Sequence, residues 1–127
     1  MPAPKRQHDA ALQRVRELCL ALPAATERLS HGSPTFFVND KATFVMFLDD
    51  HHGDGRLALW VAAPPGAQEE LVETEPARFF RPPYVGNRGW LGVRLDVEPD
   101  WDEVAAIVED AYRQVAPKKL LAELDAR

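Results

Sequence analysis

The sequence predicts an α+β fold, an antiparallel sheet with helices packed on one face, in a single domain over residues 1–127. Three observations carry that expectation. Apolar residues recur at helical spacing near the N-terminus, β-rich runs separated by turn residues fill the middle, and a second, capped helical stripe lies near the C-terminus.

From Gln7, the positions Ala11, Leu12, Val15, Leu18, Cys19 and Leu22 recur every three or four residues as one face of an amphipathic helix, which Pro23 ends. Thr35-Phe36-Phe37-Val38 and Thr43-Phe44-Val45-Met46-Phe47-Leu48 flank a short polar connector and read as a hairpin. Asp49 to Gly55 is polar and leads into a third strand, Leu57 to Val61. Pro64-Pro65 breaks that strand, and Ala67 to Glu75 carries helix formers up to Pro76. Arg78 to Gly89 has no regular period and reads as an ordered loop. Trp90 to Leu95 alternates, with Leu91, Val93 and Leu95 on one face and Trp90, Gly92 and Arg94 on the other, as a fourth strand does. Asp100 and Glu103 have capping-box spacing ahead of the stripe Trp101, Val104, Ala105, Val108, Ala111, Tyr112 and Val115. Pro117 closes that helix, and Lys118 to Leu124 forms a last short one. In the second strand, strict alternation sends Phe44, Met46 and Leu48 one way and Val45 and Phe47 the other, so both sheet faces are partly apolar.

Fifteen basic against twenty acidic side chains give a formal charge of −5, which disfavours general nucleic-acid binding by the whole surface. No apolar run is long enough for a membrane span and the N-terminus lacks a signal-peptide core, so a cytoplasmic protein is expected. The single cysteine, Cys19, lies on the inward helical stripe and reads as core, not nucleophile. Ser30 and Ser33 flank His31 without the Gly-x-Ser-x-Gly elbow of a hydrolase. His51-His52 among Asp49, Asp50 and Asp54 reads as a solvated connector in preference to a metal site. Without a glycine-rich phosphate loop, no cofactor is expected.

One constellation stands apart. Arg78, Arg81, Arg88 and Arg94 occur with no acidic residue between Pro76 and Leu95, interleaved with Phe79, Phe80, Tyr84 and Trp90. Arginines suit phosphates and aromatic faces suit bases, so the segment has the chemistry of a nucleic-acid contact; the bland rival is that the aromatics pack and the arginines pair with nearby acids.

In His31-Gly32-Ser33-Pro34-Thr35-Phe36, Lys41, Pro83-Tyr84-Val85-Gly86-Asn87-Arg88-Gly89-Trp90, Arg94-Leu95-Asp96 and Ala111 to Leu120, the chain resembles the MmcQ/YjbR family over about residues 10–124. The resemblance implies a frataxin-like (CyaY-like) arrangement and a double-wing DNA-binding domain without established catalytic residues. Trp60-Val61-Ala62 stands where many members carry a lysine at the end of the third strand. The expectation is thus a non-enzymatic domain with DNA as leading partner. Lys41, Arg78, Arg81, Arg88 and Arg94 would lie on phosphates, Tyr84 and an exposed Trp90 would stack, and Asn87 would reach a base edge or sugar. The alternative is a small-molecule or protein-interaction domain on the half-apolar sheet face around Phe37, Trp60 and Trp90.

Overall fold

A computed structural model describes residues 1–127. Four helices, α1 (Lys5–Leu20), α2 (Ala67–Thr74), α3 (Trp101–Val115) and α4 (Lys118–Asp125), accompany six strands. The strands are β1 (Ala25–Ser30), β2 (Ser33–Val38), β3 (Ala42–Asp49), β4 (Leu57–Val61), β5 (Phe79–Phe80) and β6 (Leu91–Arg94). They form one antiparallel sheet in the order β1-β2-β3-β4-β6-β5, so the α+β expectation holds.

Two strands are additions to the sequence reading. β1 closes a hairpin with β2 through His31 and Gly32, both at positive φ, as a two-residue turn of this twist requires. β5 is a two-residue edge inside what reads as a loop. The Asp100 cap is half of the expected box: its Oδ1 accepts from the amides of Asp102 and Glu103, whereas the Glu103 carboxylate turns to Arg78.

Helices α1 and α3 cover one face. Tyr112 of α3 meets Phe44 edge-on, with ring centres 5.7 Å apart, and donates its hydroxyl to the Pro23 carbonyl at 2.8 Å. His8 of α1 meets Phe47 edge-on, and Arg16 of α1 forks onto Glu27 of β1. Phe44 and Phe47 share a face because the ladder slips: Phe36 pairs with Val45 but Phe37 with Thr43, leaving Phe44 as a bulged extra residue. Strict alternation had grouped Phe44 with Met46 and Leu48; the bulge returns it to the helix side. Cys19 is fully buried on that side, and burial pushes its thiol up, away from any nucleophilic state.

The opposite, open face carries Thr35, Met46, Leu48, Trp60, Gly92 and Arg94, in rows set by the Thr35–Met46, Met46–Trp60 and Trp60–Gly92 pairings. Gly92 lacks a side chain for a steric reason: a Cβ there would lie 2.5 Å from the ring of Phe80. Phe80 thus fills the open face at the β5 edge, with the Arg56 guanidinium 4.0 Å from its ring centre. No helix is long and apolar enough to cross a membrane.

Candidate functional site

At the other end of the open face lies a cleft of about 380 Å³. Its floor is Thr35, Met46, Leu48 and Trp60, and its rim comes from three connections: Ser30 and His31 of the β1–β2 turn with Ser33 beside them, His51 and His52 after β3, and Tyr84 and Val85 from the segment between β5 and β6. The lining holds no Lys, Arg, Asp or Glu.

Rings dominate this wall. His51 stands edge-on to Trp60 with centres 4.7 Å apart, to His52 at 4.2 Å and to Tyr84 at 6.2 Å. Burial, reinforced by His52 and opposed by Asp54, holds the His51 imidazole below the usual histidine range, so it stays neutral near pH 7. Trp60 is buried, and its Nε1 is a buried donor with no acceptor. The Thr35 hydroxyl is already committed to the Ser33 carbonyl at 3.0 Å.

Backbone strain gathers at the same rim. His31, His52 and Tyr84 all have positive φ, and Tyr84 at φ 64°, ψ −72° sits at the centre of a γ-turn closed by Val85 N–H donating to the Pro83 carbonyl at 2.7 Å. That hand of γ-turn is rare and strained for an L-residue. It presents the Tyr84 side chain 72% exposed. The turn is held from behind by Gln68 of α2, a buried amide whose Nε2 donates to the carbonyls of Gly86 at 2.9 Å and Trp90 at 2.5 Å.

The residues expected to contact DNA are dispersed. Lys41 is exposed in the β2–β3 turn, at the end of β3 remote from the cleft. Arg78 is drawn to the helix side by Glu75 and by Glu103 of α3. Burial works against its charge, but those two carboxylates outweigh it and raise its pKa. Arg94 forks onto Asp96 at 2.9 and 3.0 Å. Burial resists ionisation of Asp96, yet Arg94 and the Leu57 amide hold the carboxyl below its usual range. Arg81 bonds the side-chain oxygen of exposed Asn87, and its stem fills the space a Cβ on Gly86 would need. Arg88 has no carboxylate partner and lies 5.3 Å from the Trp90 ring centre.

Trp90 corrects an expectation: it is 4% exposed and part of the core. It precedes β6, so the strand's alternation does not govern it, and Gln68 ties its carbonyl inward. Of the expected site residues, the cleft takes up Tyr84 alone; of the alternative face, it takes up Trp60, while Phe37 is buried beneath the Arg28 guanidinium at 3.7 Å. Sequence reasoning sets Ser30, His31 and Ser33 aside as a hydrolase and His51-His52 aside as a metal site, and does not join them with Met46, Leu48 and Val85 in one cleft. The available signal was the apolar outward row Met46, Leu48 and Trp60 beside turn histidines.

A crystal structure of the Deinococcus radiodurans protein DR2400, with a DUF419 domain, is similar in fold: TM-score 0.71 at 18% identity, over 90% of this chain and 87% of that one. The YjbR family model matches residues 20–114, so the chain belongs to the YjbR family. No curated protein matches the sequence.

Proposed function

We propose that this YjbR domain is a non-catalytic binding module that takes a small, uncharged, ring-bearing ligand in the open-face cleft. The cleft itself carries the reading: a concave, largely apolar site of about 380 Å³, within the size range of small-molecule pockets, with a few polar groups converging on it. Two of the segments through which the chain resembles its family, His31–Phe36 and Pro83–Trp90, meet there.

A second reading, DNA binding, rests on Lys41, Arg81 and Arg88, which have no carboxylate partner. It is the weaker one, because Arg78 and Arg94 are already paired with acids and Trp90 is buried. One pair of titrations separates them, followed by amide and indole NMR signals. Naphthalene should shift His51, Trp60 and Tyr84 while leaving Trp101 in place. A short duplex should give no salt-sensitive shifts at Lys41, Arg81 and Arg88. Salt-dependent duplex binding there, with no naphthalene response in the cleft, would exchange the two readings.

A further inference from the structure

Resting on the cleft reading above, we infer that the ligand is a neutral aryl alcohol, a flat ring carrying a hydroxyl on a short tether, with its ring on the His51 and Tyr84 side of the cleft and its hydroxyl bound by Ser30 and Ser33. The sheet order divides the cleft into two chemically different halves. Ser30 ends β1 and Ser33 begins β2, Met46 and Leu48 belong to β3, and Trp60 belongs to β4. Ring contacts gather at the far side, where His51 lies edge-on to both Trp60 and Tyr84. A further flat ring can meet the exposed Tyr84 and the half-buried His51 in the same offset or edge-on geometry. Met46 and Leu48 form an apolar floor between the halves. From β2 to β4 is two strand spacings, about 10 Å, a span suited to a fused two-ring system on a short tether.

Strand alternation puts both serines on the cleft side of the sheet. Thr35 is in the cleft floor and pairs with Arg28, so the residues two positions away, Ser33 on β2 and Ser30 on β1, share that face and pair with each other. Both are half-buried, and neither hydroxyl has a partner within the protein. The third hydroxyl there, that of Thr35, already serves the Ser33 carbonyl. Directly paired residues have Cα atoms about 4.5–5.5 Å apart, close enough for one ligand oxygen to bridge two serine hydroxyls. A ligand hydroxyl matches that pair because it donates to one and accepts from the other. A charged group in its place fits less well. With no Lys, Arg, Asp or Glu in the lining and burial holding His51 neutral, a carboxylate or phosphate would leave water without a counter-charge to receive it.

Three probes substituted at the same ring position test this: ethylnaphthalene, naphthylethanol and naphthylacetate, whose tethers carry no polar group, a hydroxyl and a carboxylate. Naphthylethanol should bind roughly two- to ten-fold more tightly than ethylnaphthalene, the gain of one net hydrogen bond. Naphthylacetate should bind more weakly than either. Intermolecular Overhauser contacts should run from the tether of the alcohol to the Ser30 and Ser33 side chains and from its rings to Tyr84. In the double variant Ser30→Ala, Ser33→Ala the advantage of the alcohol should vanish while ethylnaphthalene affinity is kept. Neither hydroxyl holds an internal bond whose loss would unfold the domain, and the Overhauser contacts of the parent protein report the same geometry independently. Equal affinities for alcohol and hydrocarbon in the parent, or an alcohol advantage that survives the double substitution, would overturn the hydroxyl inference and leave the cleft reading standing. Tightest binding of naphthylacetate would overturn it in favour of an anion site, and failure of all three to bind would remove the cleft reading as well.

Discussion

Gln68→Leu tests how the strained Tyr84 turn is held. Leucine keeps much of the side-chain volume but loses both N–H groups that one amide nitrogen directs at Gly86 and Trp90. The two carbonyls are not equivalent. Gly86 also accepts from the Gly89 amide at 3.1 Å, whereas Gln68 is the only donor on Trp90's. The orphaned Trp90 oxygen should cost about 1–3 kcal/mol and the Gly86 bond about 0.5–1.5 kcal/mol, a total near 2–4 kcal/mol. Gln68→Glu adds a sign. An ionised carboxylate would face two carbonyls with no proton, while the protonated form can donate to one of them, so its folded pKa is raised above the unfolded value. Stability of that variant is therefore greatest below the ordinary glutamate range and falls as pH rises through the raised value. Urea melts at acid and at mildly alkaline pH should show a pH-independent deficit for the leucine variant and a deficit that grows with pH for the glutamate variant. Naphthalene affinity should fall in both, since Tyr84 and Val85 lose their support. A leucine variant within about 0.5 kcal/mol of the parent would refute the argument, because surface-like tolerance is incompatible with an orphaned buried carbonyl.

Tyr112→Ala should cost about 3–5 kcal/mol in denaturant melts and Tyr112→Phe about 1–3 kcal/mol, since phenylalanine keeps the contact with Phe44 but strands the Pro23 carbonyl; a phenylalanine variant as stable as the parent would deny the hydroxyl a role. Trp90→Ala should destabilise by about 3–5 kcal/mol, while Arg88→Glu changes stability by about 0.5 kcal/mol or less, and a harmless Trp90→Ala would return the indole to the surface. His51, held low by burial and by His52, binds its proton less readily when folded than when unfolded. Its contribution is therefore complete above the ordinary histidine value and is lost as pH falls through the lower folded value. Denaturant melts across that window should show a smaller acid-side loss for His51→Asn than for the parent, and a larger loss would contradict the burial argument.

Elements with a strong period were legible from sequence. The stripes that include Cys19 and Tyr112 lie on the buried sides of α1 and α3, and the hairpin of β2 and β3 falls where its turn residues place it. β1 was illegible because Ala-Thr-Glu-Arg-Leu-Ser is an edge strand with little buried surface, and Leu29 stays largely exposed. Arginine pairing was beyond the sequence for a different reason: Glu103, which captures Arg78, reads locally as a capping residue. The cleft was harder still, since Ser30, Met46, Trp60 and Tyr84 come from four separate stretches that only the sheet order unites.

The extra residue in β3 has an evolutionary reading. Without Phe44, Thr43 would adjoin Val45, and the pairings of Phe37 with Thr43 and Phe36 with Val45 would become consecutive rungs of an unbroken ladder. Met46 and Leu48 would keep their outward orientation, so the cleft floor would survive; Tyr112 would lose its edge-on ring partner. The bulge thus behaves as an insertion that thickens the helix side of the sheet without shifting the phase of the ligand side. Relatives one residue shorter at this point should retain the outward Met46 and Trp60 equivalents and compensate on the helix facing Phe44, with a larger residue on α3.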